Sequence, residues 1–293
     1  MKKVLVVGGT GTLGKVVVNE LLSKDFQVFV LTRNPEKAGK LSEIGVILIK
    51  GDLIQKDSLT KACEGMDVVI SAAHSMMGRG KYLSENVDRQ GQFNLIDAAQ
   101  QAKVKYFIFT SVIGAASDHP VDFWRSKRMV ETHLEKSGLN YNIIRASAFM
   151  EFHLKEMIGK SILLKGKVTL LGKGTNPTNF VSVQDVAKLM LICIENSEMQ
   201  NHIIEIGGFD NLTRVEIAEM YAKKAGKYLK ISHIPGGAVW FMSKFFKPFH
   251  PGLSRIMLIA ELFERTDQTF DVQPLLQKYP VTITRVSEFI HNS

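Results

Sequence analysis

The chain has 293 residues, which is long enough for one large α/β domain or for one domain with a smaller lobe. Hydrophobic residues make up 45% and charged residues 23%, as in ordinary globular proteins, and the net charge of +8 is moderate. No basic cluster carries interleaved aromatic residues, so nucleic-acid binding is not expected. The opening MKKVLVV has too short an apolar run for a signal peptide, and the most apolar region, residues 236–263, is broken by lysines and prolines. We therefore expect a cytoplasmic protein.

Short apolar runs alternate with helical patterns through the first half of the chain. Six runs predict strands that are buried on both faces: KVLVVG, FQVFVLT, GVILIKG, DVVISAA, YFIFTSV and YNIIRAS. Segments with helical periodicity, such as GKVVVNELLSK and GQFNLIDAAQQAK, lie between them. Strand and helix repeated about six times predict an α/β fold with a doubly wound parallel sheet of the Rossmann type.

The pattern changes after Ala148, where helical segments predominate. Short strands are predicted at residues 168–171, 179–182 and 203–206. We expect a parallel-sheet domain over residues 1–150 and a smaller helix-rich lobe for substrate or partner over residues 151–293. Residues 179–207 are expected to return to the first domain.

A glycine-rich turn follows the first predicted strand and opens the first predicted helix. In VLVVGGTGTLGKVVV the glycines fit both G-x-G-x-x-G, from Gly9, and G-x-x-G-x-x-G, from Gly8. Glycine lets the backbone approach a pyrophosphate, and the helix N-terminus adds free N–H groups and a partial positive charge. The alternative is a turn without a ligand. The residues predicted to bind a dinucleotide are Gly8, Thr10, Gly11, Thr12, Leu13 and Gly14.

The end of the second predicted strand indicates which dinucleotide is bound. An NAD site usually has an acidic residue at this position, accepting hydrogen bonds from the adenosine ribose. Here the strand ends in VLTRNPEK, without an acid at its tip, and Arg33 is suited to a charge-assisted contact with a 2′-phosphate. Lys37 adds a second cation one turn later. We predict NADP(H) as the cofactor; the alternative is that Arg33 is a solvated loop cation.

Two further strand ends fit the same ligand. Asp52 and Leu53 follow the third strand, where one polar and one apolar contact suit an adenine. Ala72 and Ala73 follow the fourth strand, where small side chains let a cofactor lie close. Both segments are also compatible with ordinary turns.

These motifs together resemble the NmrA-like group of atypical short-chain dehydrogenases. The glycine loop, TRNP, GDL, SAAH, NLIDAAQQAKVKYFIFTS, SGLNYNIIRAS and FVSVQDVA follow the group's order over most of the chain. The likeness is strongest to a branch with photosynthetic-complex assembly factors and small NAD(P)H-dependent quinone or dye reductases. The resemblance implies that Phe149, in the loop after NIIRAS, lies beside the nicotinamide. It implies cofactor contacts at Gly8, Gly11, Thr12, Leu13, Gly14, Arg33, Asp52, Ala73 and Lys127.

Phe123 and Lys127 lie four residues apart on a predicted helix, at the spacing where many nicotinamide reductases have a proton-donating tyrosine and a lysine. Phe123 has no proton to donate. Lys127 falls on an apolar stripe with Phe123, Val130 and Leu134, and a buried ammonium needs a partner, for which the nicotinamide ribose is suited. The alternatives are that Lys127 reaches solvent or pairs with Glu131. A second stripe of the helix carries Arg128, Glu131 and Glu135.

Because the tyrosine is missing, the substrate must take its proton from another group. A positioned general acid typically contributes about 10²–10⁴-fold in rate, so ordinary carbonyl reduction is expected to be slow. Thr110 and Ser111 end the fifth strand, where the serine of the reductase triad normally lies. A quinone could take its proton from water, from Ser111, or from Lys127 with a lowered pKa. The resemblance supports Lys127, because a related branch of ether and enone reductases relies on lysine. His74 is either another acid beside the cofactor or an ordinary loop residue.

The second lobe contains AVWFMSKFFKPF and SRIMLIAELF, which are rich in aromatic residues and methionine. These segments form the core of the lobe or line an apolar substrate pocket, or else residues 238–263 contact a membrane or a protein partner. The histidines have no zinc-binding spacing, so no metal is expected. The sequence does not specify an oligomeric state.

Three functional hypotheses remain. The first is an NADPH-dependent reductase of a small apolar acceptor such as a quinone, with Lys127 and Ser111 as catalytic residues. The second is a non-catalytic NADPH-binding redox sensor or assembly factor. The third, a sugar epimerase or dehydratase, ranks lowest because the tyrosine is missing.

Overall fold

The computed structural model describes residues 1–293, and its secondary structure follows the alternation in the sequence. The strands are β1 (Lys3–Val7), β2 (Gln27–Thr32), β3 (Ile47–Lys50), β4 (Val68–Ser71), β5 (Tyr106–Val112), β6 (Asn140–Ala146), β7 (Ala148–Phe149), β8 (Lys167–Leu171), β9 (Thr178–Val181), β10 (His202–Ile206), β11 (Asn211–Leu212) and β12 (Lys230–Ile234). The helices are α1 (Thr12–Leu22), α2 (Gly39–Ser42), α3 (Lys56–Cys63), α4 (Gln92–Gln101), α5 (Asp122–Lys136), α6 (Lys160–Lys165), α7 (Val183–Glu195), α8 (Arg214–Ala225), α9 (Gly236–Phe246), α10 (Pro251–Phe263), α11 (Gln273–Lys278) and α12 (Val286–Asn292). Two π-helices, Glu85–Gly91 and Glu151–Gly159, lead directly into α4 and α6.

Seven strands form the central sheet, in the order β10-β6-β5-β4-β1-β2-β3. The pairings of β1 with β2 and β4, of β2 with β3 and of β4 with β5 are parallel. From β1 the chain first adds strands on one side and then crosses back to add β4 on the other, which is the doubly wound arrangement. The predicted fold class is therefore confirmed, and the strand order reverses between β1 and β4.

Most of the apolar runs are strands with both faces covered; β3 departs from the prediction, because it lies at the edge of the sheet, has no buried residue and leaves Ile47 41% exposed. Every residue of β4 is buried, as are four of the five residues of β1. Their side chains pack against α3, α4 and α5, with Leu5, Val69, Leu95 and Phe107 fully buried in one cluster. A strand buried on both faces cannot alternate polar and apolar residues, which explains the continuous runs in the sequence.

The chain divides into two compact units. The first consists of Met1–Arg145 and Val186–Glu205, and the second of Ala146–Asp185 and Ile206–Ser293. Within the segment 179–207, β9 lies in the second unit, whereas most of α7 and nearly all of β10 lie in the first. None of the helices is both long enough and apolar enough to cross a bilayer.

The second unit is rich in helices, as predicted, but it contains more strands than the sequence indicated. β11, β9 and β7 form a three-stranded sheet, and β12 pairs in parallel with β8. β12 was not predicted, because its sequence KISHI has only two apolar residues and is largely exposed. The core of the second unit is built around Tyr221 and Phe180, both almost fully buried.

Candidate functional site

The glycine-rich turn joins β1 to α1 at the carboxyl edge of the sheet. Gly11 is the residue before the helix, and its extended backbone offers no side chain to cap the first turn. The first turn of α1 also contains no acidic residue. The leading N–H groups of a helix have no intrahelical acceptor, so this end presents unpaired donors and a partial positive charge. Such an end is suited to an anion.

The three glycines of the motif are required for different reasons. Gly8 has a φ of +92°, and a Cβ there would lie 2.7 Å from the amide nitrogen of Ala73, at the end of β4. A Cβ on Gly14 would collide with the carbonyl oxygen of Gly8. Gly11, by contrast, has an ordinary φ of −79°, and its Cβ would meet only that carbonyl oxygen, at 3.2 Å. The fold requires Gly8 and Gly14, whereas Gly11 keeps the exposed face of the loop open.

The ends of β2 and β3 are joined through an aromatic residue that the sequence analysis missed. The guanidinium of Arg33 lies 4.4 Å from the centroid of the Tyr82 ring, and the Lys81 ammonium lies 5.1 Å from it. The Tyr82 hydroxyl donates a hydrogen bond of 2.8 Å to the nearly buried carboxylate of Asp52. Arg33 is therefore held by a cation–π contact while its surface stays exposed. In the sequence, only the position of Tyr82 among the glycines and cations of GRGKYLS could have indicated this contact.

The other residues predicted to bind the cofactor near the ends of β1, β2 and β3 differ in their exposure. Leu53 is buried, and Lys37 is exposed, with its backbone N–H bonded to the Asn34 side chain. Thr10 and Thr12 are exposed on the glycine loop, and Leu13 is buried beneath it.

The end of β4 is fixed by two fully buried polar side chains. Gln92 accepts a hydrogen bond of 2.7 Å from the Ser71 hydroxyl and donates one of 3.3 Å to the Ala73 carbonyl. Asp88 accepts from the backbone N–H of Ser75, at 2.8 Å, and therefore fixes the chain just beyond Ala73. Ala72 and Ala73 are partly open, and the following His74 is exposed. Asp88 belongs to the π-helix before α4, a feature that is frequent at functional sites and that the sequence did not reveal.

Lys127 is buried at the end of β5, with only 3% of its surface exposed. Its ammonium donates a hydrogen bond of 2.7 Å to the Thr110 carbonyl and lies 4.6 Å from the centroid of the Phe109 ring and 5.3 Å from that of Phe123. Burial lowers the pKa of Lys127 from 10.5 to about 8, although the charges of Asp88 and Glu131 oppose this effect. Lys127 neither reaches solvent nor forms an ion pair with Glu131.

Glu131 of α5 is buried, which the sequence analysis did not predict. The predicted stripe of Phe123, Lys127, Val130 and Leu134 is buried and thus confirmed, but Glu131 is also fully buried. The reason is ion pairing: Nε and Nη2 of Arg145 in β6 donate hydrogen bonds of 2.9 and 2.7 Å to it, and Nη1 of Arg128 donates one of 3.0 Å. Burial alone would raise the pKa of Glu131, but the hydrogen bonds from Arg145 and Ser111 outweigh it, and the pKa is lowered.

Ser111 and Thr110 have different surroundings at the same strand end. The Ser111 hydroxyl donates a hydrogen bond of 2.6 Å to Glu131, which uses its one proton. The Thr110 hydroxyl is buried and has no hydrogen-bond partner. A buried, unpartnered hydroxyl costs free energy, and the hydroxyls of Ser147, Thr178 and Tyr221 in the second unit are in the same situation.

The first unit therefore places most of the predicted site residues at the carboxyl ends of β1 to β5. Doubly wound sheets bind their ligands at this edge, where the strand order reverses. Phe149 is the exception within the predicted set, since it lies in β7 of the second unit, paired with Val181. The open glycine turn and the exposed Arg33 are compatible with a phosphorylated dinucleotide.

The fold and this strand edge define a Rossmann-type α/β protein. The model of the NmrA-like family matches residues 1–290, and the chain belongs to that family.

Two curated proteins and one solved structure show what the chain is similar to. It is 29% identical to the photosystem II assembly factor Ycf39 of Synechocystis, over 94% of this chain and 85% of that protein. It is 29% identical to the NAD(P)H azoreductase of Xenophilus azovorans, over 76% of this chain and 74% of that protein. The NADPH-dependent quinone oxidoreductase QOR2 of Escherichia coli, solved with NADPH, superposes with a TM-score of 0.79 at 22% identity, over 99% of both chains.

Proposed function

We propose that the protein is an NADPH-dependent reductase of a small apolar acceptor such as a quinone. The observation that carries the proposal is Lys127, a buried lysine without a carboxylate partner, whose pKa of about 8 lies near physiological pH. A buried ammonium is costly, and such groups are concentrated at functional sites. The similarity to an NAD(P)H azoreductase supports a reductase, and the likeness to a quinone oxidoreductase supports the fold that such a reductase needs.

The residues that hold the cofactor are those at the strand ends. The N-terminus of α1 and the open backbone at Gly11 bind the pyrophosphate, and Ala73 leaves room beside it. Arg33 binds the 2′-phosphate of the adenosine ribose, which favours NADPH over NADH. The contact of Arg33 with Tyr82 supports this role, because a preoriented guanidinium loses less conformational freedom when it binds a phosphate.

Lys127 supplies the proton in this proposal. When bound, NADPH supplies a hydride to the acceptor. Phe123 has no proton to donate, and the Ser111 proton is committed to Glu131. The Lys127 ammonium has two N–H donors beyond the one used by the Thr110 carbonyl, and in this proposal they serve a ribose hydroxyl and the acceptor's oxygen. A pKa near the working pH is the condition under which a general acid is effective.

A second candidate function is an NADPH-binding sensor or assembly factor that does not turn over. The observation that favours it is Phe123, which removes the usual proton donor, and the Synechocystis relative is a photosystem II assembly factor. In this case Lys127 holds the cofactor, and an occupied site controls the binding of a protein partner.

Turnover with a panel of quinones distinguishes the two functions. We expect the wild type to oxidise NADPH steadily with at least one quinone, and Lys127→Met to lower kcat by about 10²-fold or more. The rate should fall as the pH rises through about 8, because Lys127 then loses its proton. Lys136→Met, at an exposed lysine of the same helix, is the matched control and should keep the wild-type rate. NADPH binding without turnover on any quinone would favour the second function.

A further inference from the structure

Four exposed aromatic residues lie on α9 and in the turn before α10; we call them the aromatic patch. Trp240, Phe241, Phe245 and Phe249 are 49%, 63%, 55% and 75% exposed. The Phe245 ring lies 6.3 Å from Phe241 and 6.1 Å from Phe249, so these three rings are contiguous. The patch leaves roughly 500 Å² of apolar surface open, near the upper end of what monomeric proteins expose.

The aromatic patch is not needed to hold α9 in place. The opposite face of α9 buries Val239 and Ser243, and the Ser254 hydroxyl of α10 donates a hydrogen bond of 2.5 Å to the Ser243 carbonyl. His250 caps α10 by accepting a hydrogen bond of 3.1 Å from the Leu253 N–H. The two helices are therefore fixed to each other without the exposed rings.

The two charged residues of α9 and of the turn that follows it are both lysines. Lys244 and Lys247 are exposed among the aromatic rings, with the Lys244 ammonium 5.8 Å from the centroid of Trp240. Glu261 of α10 lies near the buried face of α9, beside Val239, and its side chain is only 12% exposed. Protein interfaces are enriched in aromatic residues but depleted of lysine. Aromatic rings with interspersed lysines instead match a bilayer surface, where rings enter the acyl boundary and lysines contact anionic headgroups.

We propose that the aromatic patch docks on the surface of an anionic lipid bilayer. The rings of Phe241, Phe245 and Phe249 enter the boundary between headgroups and acyl chains, and Trp240 lies at headgroup level. Lys244 and Lys247 extend to lipid phosphates, because their long side chains reach past the rings. The proposal is independent of the cofactor, since every residue that carries it belongs to α9 and the following turn.

Vesicle co-sedimentation of the full chain tests the proposal. We expect binding to vesicles of phosphatidylcholine mixed with phosphatidylglycerol and much weaker binding to phosphatidylcholine alone, with affinity falling as salt is raised. The double variant Phe241→Ser/Phe245→Ser should lose at least about tenfold in affinity, because most of the inserting apolar area is removed. Ile44→Ser, at an apolar residue of the first unit that is 49% exposed, is the matched control and should bind like the wild type.

A second variant, Lys244→Gln/Lys247→Gln, tests the contribution of charge. It should bind anionic vesicles more weakly than the wild type, and its affinity should depend less on salt. Its matched control is Lys24→Gln/Lys61→Gln, at two exposed lysines of the first unit. Circular dichroism of each variant checks that the fold is kept.

Fluorescence gives a second readout. The chain has two tryptophans, so Trp124→Phe leaves Trp240 as the sole reporter, and its emission should shift to shorter wavelength with anionic vesicles. No vesicle binding by the full chain, or equal binding by the Phe241→Ser/Phe245→Ser variant, would overturn the proposal. The proposal would also be overturned if the wild type forms a lipid-free dimer, or a stable complex with another protein, and the Phe241→Ser/Phe245→Ser variant does not. The patch would then be a protein interface.

Discussion

Replacing Lys127 with methionine is expected to make the protein more stable at neutral pH although it slows turnover. Burial lowers the pKa of the lysine from 10.5 to about 8, which means that the charged form of Lys127 lowers the free energy of unfolding. A change of about 2.5 pKa units corresponds to roughly 3.5 kcal/mol, since one pKa unit is equivalent to about 1.4 kcal/mol. Methionine occupies a similar volume without a charge, so the free energy of unfolding should rise by up to roughly that amount.

The pH dependence identifies the cause of this stabilisation. Below about pH 8 the lysine is charged in both the folded and the unfolded protein, so the full cost of burial is present. Between pH 8 and 10.5 the unfolded chain binds more protons than the folded chain, and the wild type gains stability as the pH rises. The advantage of Lys127→Met should therefore shrink across this interval.

Urea unfolding without nucleotide at a series of pH values measures the effect, with Lys136→Met as the matched exposed control. A Lys127→Met variant that is less stable than the wild type at pH 7 would show that the ammonium has a favourable partner. That result would contradict the assignment of Lys127 as a group whose burial is costly to the fold.

Replacing Glu131 with glutamine is expected to lower the free energy of unfolding by about 3 kcal/mol. Removing one partner of a buried ion pair typically costs about 3–5 kcal/mol, and Arg145 keeps a second contact with Glu205 at 3.3 Å, which reduces the loss. The Ser111 hydroxyl also loses a charged acceptor. This network links α5 to β5 and β6, and it thereby positions the strand end that carries Thr110.

Glu135→Gln is the matched control for this prediction. Glu135 lies one turn further along α5 and pairs with Arg128 at 3.4 Å, but its side chain is partly exposed. Exposed ion pairs contribute about 0–1 kcal/mol, so Glu135→Gln should lower the free energy of unfolding only slightly.

The pH dependence gives a second check. Because the pKa of Glu131 is lowered below its ordinary 4.5, the wild type should be more stable than Glu131→Gln above pH 4.5 and should lose this advantage on further acidification. Equal effects of the two variants would mean that Glu131 is not a buried anchor.

The features that could be predicted from the sequence are those encoded locally. The six strands of the first half are continuous apolar runs, and the glycine turn lies directly between one of them and a helix. The burial of Lys127 followed from the apolar stripe on which it lies. In each case the residues that decide the structure are within one or two helical turns of each other.

The features that the sequence did not reveal depend on distant partners. Glu131 is buried because Arg145 reaches it from β6, and Arg33 is oriented by Tyr82 from the loop after β4. β12 is a strand because β8, more than sixty residues earlier, offers it a parallel edge. Such pairings are set by the arrangement of the chain in space, and no local periodicity marks them.

The central claim is that a phosphorylated dinucleotide binds at the glycine turn and at Arg33, and calorimetric titration of the purified chain with NADPH and NADH tests it most directly. We predict one NADPH per chain and a preference over NADH of at least about tenfold, equivalent to about 1.4 kcal/mol. Arg33→Ala should remove the preference and leave the NADH affinity nearly unchanged. Gly11→Ala should keep the fold but weaken both nucleotides, and Lys24→Ala, at an exposed cation of the same unit, should change neither. Absence of binding at saturating nucleotide, or an unchanged preference in Arg33→Ala, would contradict the account.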